Sequence, residues 1–218
     1  MYVSATIGQK SPDIEVSEWI QGEPMHVDEN STVKVIEVFQ VNCPGCFMYG
    51  LPEAIRLYEK HRDDVDVVGV ATAFEDFDKN TLDNLKMLLS TGKVIGDTLE
   101  TLSQNKYLTN DTLPYKIPFA IGMDRLNSAK SADKQTARQL ILRQIPEFDE
   151  KPQEYKDEIM QRAITYLEAK KYTPVTFERF SLNGTPSYII VDKSGILRHV
   201  EFGNHGALES IVESILKE

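Results

Sequence analysis

The sequence contains very little cysteine, with two residues in a chain of 218. Two cysteines cannot form the set of disulfides that stabilises many small secreted domains, and a chain of this length can bury a core without one. Histidine is also scarce, and the four residues, at positions 26, 61, 199 and 205, lack the spacing of metal ligands. We therefore expect no bound metal.

The sequence also lacks an excess of positive charge and any long apolar segment. The formal net charge is -10 and the pI is about 5.0, which argues against nucleic acid or an anionic membrane as the main partner. No run approaches the ~18 apolar residues of a transmembrane helix, and the first residues show no signal-peptide pattern. We expect a cytoplasmic protein, or an extracytoplasmic one if the natural gene encodes a leader.

Both cysteines lie within a strand–helix–strand pattern. Residues 33–41, VKVIEVFQV, and residues 65–74, VDVVGVATAF, are mostly apolar and β-branched, as is typical of strands buried on both faces of a sheet. The segment between them has helical spacing. This order predicts two parallel strands joined by a right-handed crossover.

Later segments complete an α/β pattern. Residues 78–106 and 128–171 have helical periodicity, and residues 116–124 predict a short strand. PSYIIVD and GILRHVEFG predict a hairpin, which a C-terminal helix follows. The predicted fold class is α/β, with a central mixed sheet flanked by helices.

The stretch Cys43-Pro44-Gly45-Cys46 has the spacing of a redox-active dithiol. Pro44 suits the first position of a helix, which makes Cys43 the N-cap residue. Unpaired backbone N–H groups and the helix dipole would then favour the thiolate and lower its pKa from about 8.5 to roughly 3.5–7.5. Cys46, one turn later on the same face, can attack a mixed disulfide formed at Cys43.

Two other interpretations of the cysteine pair remain open from the residues alone. A CxxC stretch forms half of many zinc sites, although a closed site needs four ligands and the chain has no second cysteine pair. The two residues could also be inert structural thiols.

Several segments together resemble the thioredoxin superfamily, and more narrowly the thiol-disulfide reductases of the TlpA and ResA type. They are SPDIEV (11–16), NCPGC (42–46), VVGVAT (67–72) and NGTPSYIIVDKSGILRHVEFG (183–203). The resemblance implies a single thioredoxin-like domain over residues 1–218, with a large helical insertion at approximately 128–172. It also implies thiol–disulfide exchange and a role in cell redox homeostasis.

The resemblance also implies three catalytic residues. Cys43 matches the nucleophile and Cys46 the resolving thiol. Glu37 matches a buried carboxylate behind the active-site helix, whose pKa burial should raise and which could take the proton from Cys46. The alternative for Glu37 is a side chain on an edge strand that faces water.

The substrate-binding residues implied by the resemblance are Pro44, Gly45, Thr185 and Pro186. Pro186 matches the cis-proline that lies beside the disulfide in this family. The backbone of Thr185 would then pair with an extended substrate strand. The alternative is that Thr185-Pro186 merely opens a strand, which proline tolerates.

The sequence departs from the family pattern near the cysteines. Asn42 stands where the family usually has tryptophan, and we expect its side chain to hydrogen-bond near the sulfur. Pro52 comes nine residues after Cys43 rather than eight, so we expect a bulge at Gly50 to absorb the extra residue. Tyr49 stands where some of these reductases have an acidic residue.

The leading functional hypothesis is a thiol-disulfide oxidoreductase acting on protein or small-molecule disulfides. An external dithiol donor, such as a thioredoxin reductase-like protein, would regenerate it. We expect no cofactor because the chain has no nucleotide-binding glycine motif. One alternative is a peroxiredoxin-like peroxidase, although Gln40 stands where that site needs threonine. Another is a non-enzymatic, redox-responsive binding or chaperone module.

Overall fold

A six-stranded mixed sheet forms the larger of two units in the chain. The computed structural model describes residues 4–27, 31–129, 133–203 and 206–218, without the side chain of residue 143. The larger unit comprises Met1–Arg125 with Pro174–Glu218, and the smaller unit comprises Leu126–Thr173. In the described part of the chain, none of the helices has the length and apolar character that crossing a bilayer requires.

The strands confirm the predicted mixed sheet. Within the described ranges they are β1 (Val16–Gln21), β2 (Val33–Phe39), β3 (Val65–Ala71), β4 (Ala120–Asp124), β5 (Leu126–Ser128), β6 (Tyr172–Pro174), β7 (Ser187–Val191) and β8 (Leu197–Phe202). Six of them form one sheet in the order β1-β4-β3-β2-β7-β8, and β5 pairs with β6. β2, β3 and β4 run parallel to one another, whereas β1, β7 and β8 pair in the antiparallel direction.

The α-helices of the described residues are α1 (Leu51–Lys60), α2 (Leu82–Thr91), α3 (Gly96–Gln104), α4 (Lys134–Gln144), α5 (Gln153–Ala169), α6 (Val175–Arg179) and α7 (Leu208–Leu216). The predicted helical segment 78–106 is therefore two helices, α2 and α3. Gly92 ends α2 with φ 73, a left-handed conformation that glycine adopts readily.

Strand β2 lies in the middle of the sheet, and all seven of its side chains are buried. This confirms the strand predicted to be buried on both faces. Ile36 and Val38 belong to the hydrophobic cluster on one face of the sheet, with Phe177 and Phe180 of the α6 region. Since side chains alternate along a strand, Glu37 points to the opposite face.

The smaller unit consists mainly of α4 and α5, which confirms the helical character predicted for residues 128–171. The Asp133 carboxylate caps α4 by accepting a hydrogen bond from the Thr136 N–H at 2.8 Å. A 3-10 turn, Phe148–Glu150, lies between the two helices. The boundaries of one domain with an insertion at approximately 128–172 stay a prediction.

Candidate active site

Cys43 lies at the start of the helix that follows β2, where the sequence predicts it. Pro44 is the first helical residue, and the Cys43 sulfur accepts a hydrogen bond from the Cys46 backbone N–H at 3.3 Å. This is the contact of an N-cap residue with the third residue of its helix. An ionised sulfur at this position is stabilised by that N–H donor and by the helix dipole.

The two cysteines form a disulfide, with their Cα atoms 5.4 Å apart. Cys43 is partly exposed, whereas Cys46 is fully buried. A substrate can therefore reach Cys43 before Cys46. Partial exposure also argues against a pair of inert structural thiols, which are normally buried.

The Thr185–Pro186 peptide bond is cis, as the resemblance implies, and it lies beside the disulfide. The Thr185 carbonyl oxygen is 3.5 Å from the Cys43 sulfur, within reach of the S–H hydrogen once Cys43 is reduced. A Cβ atom at Gly45 would lie 3.8 Å from Pro186 Cδ. Pro44, Gly45 and Thr185 are partly exposed. The structure thus brings together the four residues predicted to bind substrate.

A π-helical turn, Cys46–Gly50, follows the disulfide, and α1 begins directly after it. Such a turn contains one residue more than an α-helical turn. It therefore accommodates the extra residue before Pro52, as the predicted bulge at Gly50 requires. Pro52 lies in the first turn of α1, where the absence of its N–H costs least.

Two tyrosine hydroxyls bind carbonyl groups of the π-helical turn. Tyr115 donates a hydrogen bond to the Phe47 carbonyl at 2.7 Å. In a π-helix the carbonyl of one residue accepts a hydrogen bond from the N–H of the residue five positions later. For Phe47 that residue is Pro52, which has no N–H. Tyr188 donates to the Gly50 carbonyl at 2.8 Å. These bonds hold the turn in place behind the disulfide.

Glu37 is fully buried, in the central strand of the sheet. Its Oε1 atom lies so close to Gly50 that a Cβ atom there would overlap it. In the described structure neither carboxyl oxygen has a hydrogen-bond partner. Burial and the charge of Glu53 raise the pKa of Glu37 well above its usual value, and the Tyr188 hydroxyl opposes this rise only in part. The alternative of a water-facing Glu37 on an edge strand is wrong.

Asn42 fixes the loop before Cys43 through hydrogen bonds to aspartates rather than to the sulfur, so the expected contact is wrong. Its Nδ2 donates to Asp76 at 2.7 Å and to Asp97 at 3.2 Å. Its Oδ1 accepts from the Asp97 backbone N–H, and its own N–H donates to Asn80, both at 2.8 Å. Asn42 therefore joins the cysteine loop to the loop after β3 and to the start of α3.

We predict that Asn42→Ala lowers the free energy of unfolding by about 1–3 kcal/mol, because it leaves polar groups of a buried network without partners. Asn105→Ala is the control, since Asn105 is exposed and, directly after α3, donates to the Thr101 carbonyl of that helix. Its expected effect is within about 0.5 kcal/mol. Urea unfolding measures both. Equal losses would contradict the proposed role of the Asn42 network.

The structure adds residues to the site that sequence reasoning does not identify. Tyr188 and Tyr115 bind the π-helical turn, and Glu53 is the second buried carboxyl group near Glu37. Their positions depend on strand register and on loop packing. The signal present in the sequence is the extra residue before Pro52, which requires an irregular turn and hence partners for its carbonyl groups.

Solved structures that resemble the whole chain have the thioredoxin-like fold. One is the crystal structure of a thioredoxin-like superfamily protein, with a TM-score of 0.58, 23% identity, and 97% of this chain and 98% of that chain covered. Another is a thiol-disulfide isomerase from Corynebacterium glutamicum, with a TM-score of 0.58, 23% identity, and coverage of 98% and 97%. A third is a thioredoxin-like protein in the oxidised form, with a TM-score of 0.52, 17% identity, and coverage of 96% and 95%.

No protein-family model matches the chain, and no curated protein sequence matches it. The structural similarities confirm the predicted fold class. The protein therefore has a thioredoxin-like fold with a CxxC disulfide at residues 43–46.

Proposed function

We propose that the protein is a thiol-disulfide oxidoreductase that reduces disulfides of proteins or small molecules through Cys43 and Cys46. The observation that supports this most directly is the position of the Cys43 sulfur. Cys43 is partly exposed, and its sulfur accepts a hydrogen bond from the Cys46 N–H at 3.3 Å and lies 3.5 Å from the Thr185 carbonyl oxygen. A helix start favours its thiolate, which is the reactive form in disulfide exchange.

The proposed reaction has two exchange steps. The Cys43 thiolate attacks one sulfur of the substrate disulfide, forms a mixed disulfide, and releases the other substrate sulfur as a thiolate that takes up a proton. Cys46 then loses its proton to the Glu37 carboxylate and attacks the Cys43 sulfur. This releases the second substrate thiol and forms the Cys43–Cys46 disulfide. The substrate is reduced by two electrons, and the dithiol is oxidised by two.

The segment before Pro186 supplies the docking site in this proposal. A substrate in extended conformation pairs with the backbone of Thr185, a partly exposed residue, as strands do when they add to an exposed edge. Its disulfide then lies next to the Cys43 sulfur. Pro44 and Gly45, which follow Cys43 and are partly exposed, also contact the substrate in this proposal.

The experiment that tests this function is reduction of insulin disulfides with dithiothreitol as the external dithiol. The expected result is catalytic turnover well above the rate with dithiothreitol alone. Stoichiometric binding without turnover would instead favour a redox-responsive binding or chaperone module. Faster consumption of hydrogen peroxide than of insulin disulfides, with the same dithiol, would favour the peroxidase.

We predict that Glu37→Gln slows the second exchange step by about 100-fold, as expected for loss of a general base, and leaves the first step nearly unchanged. The reduced protein is mixed with a chromogenic aromatic disulfide, which releases one coloured thiolate in each step. The pKa of Glu37 is raised, so its carboxylate forms only well above pH 4.5. The second step should therefore accelerate as pH rises through that pKa, and Glu37→Gln should lack this rise.

Glu59→Gln is the control for this measurement because Glu59 is an exposed residue of α1. It should leave both phases of colour release unchanged. Equal slowing of the two phases by Glu37→Gln would show that the carboxyl group does not act on Cys46.

A further inference from the structure

Two buried carboxyl groups lie near the π-helical turn that follows the disulfide, although the exchange reaction proposed above uses only one. Glu37 is fully buried, and Glu53, in the first turn of α1, is 6% exposed. Two neighbouring buried carboxyl groups do not ionise independently, because the charge of one raises the pKa of the other. The charge of Glu53 acts on Glu37 in this way.

Tyr188 connects the two carboxyl groups. Glu37 lies directly opposite Tyr188 in the pairing of β2 with β7, so their side chains are neighbours on one face of the sheet. The Tyr188 hydroxyl donates to the Gly50 carbonyl at 2.8 Å, and its oxygen is 3.3 Å from Glu53 Oε2. A hydroxyl has one hydrogen. It can turn from the Gly50 carbonyl to the other acceptor, so the Tyr188 hydroxyl can also donate to the Glu53 carboxylate.

Other titratable and charged groups face this cluster from the surrounding segments. Tyr115 comes from the segment between α3 and β4; burial raises its pKa, and the charges of Tyr107 and Glu37 add to the rise. Arg56, an exposed residue of α1, lowers the pKa of Tyr188. Burial dominates the pKa of Tyr188 and raises it, and the charges of the two glutamates raise it further. Tyr188 therefore stays protonated and can relay a proton without ionising.

We propose that Glu37, Tyr188 and Glu53 form one proton-holding unit, in which the proton that Glu37 takes from Cys46 passes through the Tyr188 hydroxyl to Glu53 and from there to solvent. The inference rests on the function proposed above. Glu37 has no solvent contact, so its proton needs a route, and the Tyr188 hydroxyl lies close enough to lower the pKa of the Glu37 carboxyl group. In the proposed transfer the Tyr188 hydroxyl accepts the proton from Glu37 as it donates its own to Glu53, which is 6% exposed and is the least buried member of the unit.

The experiment is a 13C NMR titration of the glutamate carboxyl carbons in the oxidised protein, where no thiol titrates. Glu53→Gln removes one charge at nearly constant shape, and we expect the midpoint of Glu37 to fall by about one pH unit or more, a tenfold change in its protonation equilibrium. Tyr188→Phe retains both carboxyl groups but removes the hydroxyl that lowers the pKa of Glu37, so the midpoint should rise. Glu59→Gln should change nothing.

The relay itself is tested by the second exchange step. Glu53→Gln and Tyr188→Phe should each slow that step about tenfold or more when measured at the same pH values as the wild type, and should leave the first step unchanged. A Glu37 midpoint that is the same in Glu53→Gln, Tyr188→Phe and Glu59→Gln would overturn the inference. So would a second step that neither variant slows.

The titration also separates this inference from the proposed function. The titration needs no turnover. If the Glu37 midpoint depends on Glu53 and Tyr188 but insulin is not reduced, the oxidoreductase is rejected and the coupled carboxyl pair is retained. If insulin is reduced but the Glu37 midpoint does not change in Glu53→Gln or Tyr188→Phe, only the proton-holding unit is rejected.

Discussion

Cys43→Ser is expected to lower the rate of insulin reduction by about 10³-fold or more, because a serine hydroxyl cannot form the mixed disulfide on which both steps depend. Cys46→Ser is expected to lose steady-state turnover as completely, but by a different route. Its Cys43 still attacks, and the mixed disulfide then accumulates because no second thiol resolves it. The unequal exposure of the two cysteines supports this division, since Cys46 is fully buried.

Mass spectrometry of the protein after mixing with a chromogenic disulfide distinguishes the two variants. Cys46→Ser should gain the mass of one aromatic thiol and release one equivalent of colour, whereas Cys43→Ser should gain none. The wild type should release two equivalents and return to its disulfide mass. An adduct on Cys46 in the Cys43→Ser variant, formed at the wild-type rate, would reverse the assigned roles.

The Cys46→Ser variant also tests the acidity of the nucleophile. The Cys46→Ser variant retains the Cys43 sulfur with a free thiol, so the pH dependence of its single colour-release phase reports the pKa of that thiol. We expect a midpoint below the ordinary value of about 8.5, because the sulfur occupies the N-cap position of a helix. An ordinary midpoint would show that the helix start does not activate Cys43.

The sequence predicts the sheet and the cysteine pair well because their signals are local. β2 and β3 appear as apolar, β-branched stretches, and Pro44 marks the start of a helix. The hairpin of β7 and β8 follows from two strand patterns and the turn between them. The extra residue before Pro52 even predicts an irregular turn, which the structure places at Cys46–Gly50.

Other parts of the site depend on contacts between distant segments. Strand β1, VSEWIQ, is a partly exposed edge strand without a continuous apolar run, so its pattern is weak. Glu37 faces Tyr188 only because β2 and β7 pair in one register out of several. The role of Asn42 is similar, since Asp76 and Asp97 reach it from segments that the sequence alone cannot orient.

Gly50→Ala is expected to lower the free energy of unfolding by about 1–3 kcal/mol, the usual cost of overpacking a core. A Cβ atom at this position would overlap Glu37 Oε1 and lie 2.6 Å from Pro186 Cβ. The turn would have to move away from the central strand and from the cis-proline loop together. For a domain of this size the loss corresponds to a fall of about 2–4 °C in Tm per kcal/mol, and insulin reduction should slow as the cysteines shift.

Gly45→Ala is the matched control, because Gly45 directly precedes the π-helical turn that Gly50 ends and also has helical backbone angles, φ -62 and ψ -33. Its new Cβ atom would lie 3.8 Å from Pro186 Cδ, an ordinary contact. Alanine is favoured over glycine by about 1 kcal/mol in a helix, so the Tm of this variant should equal or exceed that of the wild type. If calorimetry gave the two alanine variants the same Tm, Gly50 would not be packed tightly against Glu37 and Pro186. The Glu37 carboxyl group would then have to lie elsewhere.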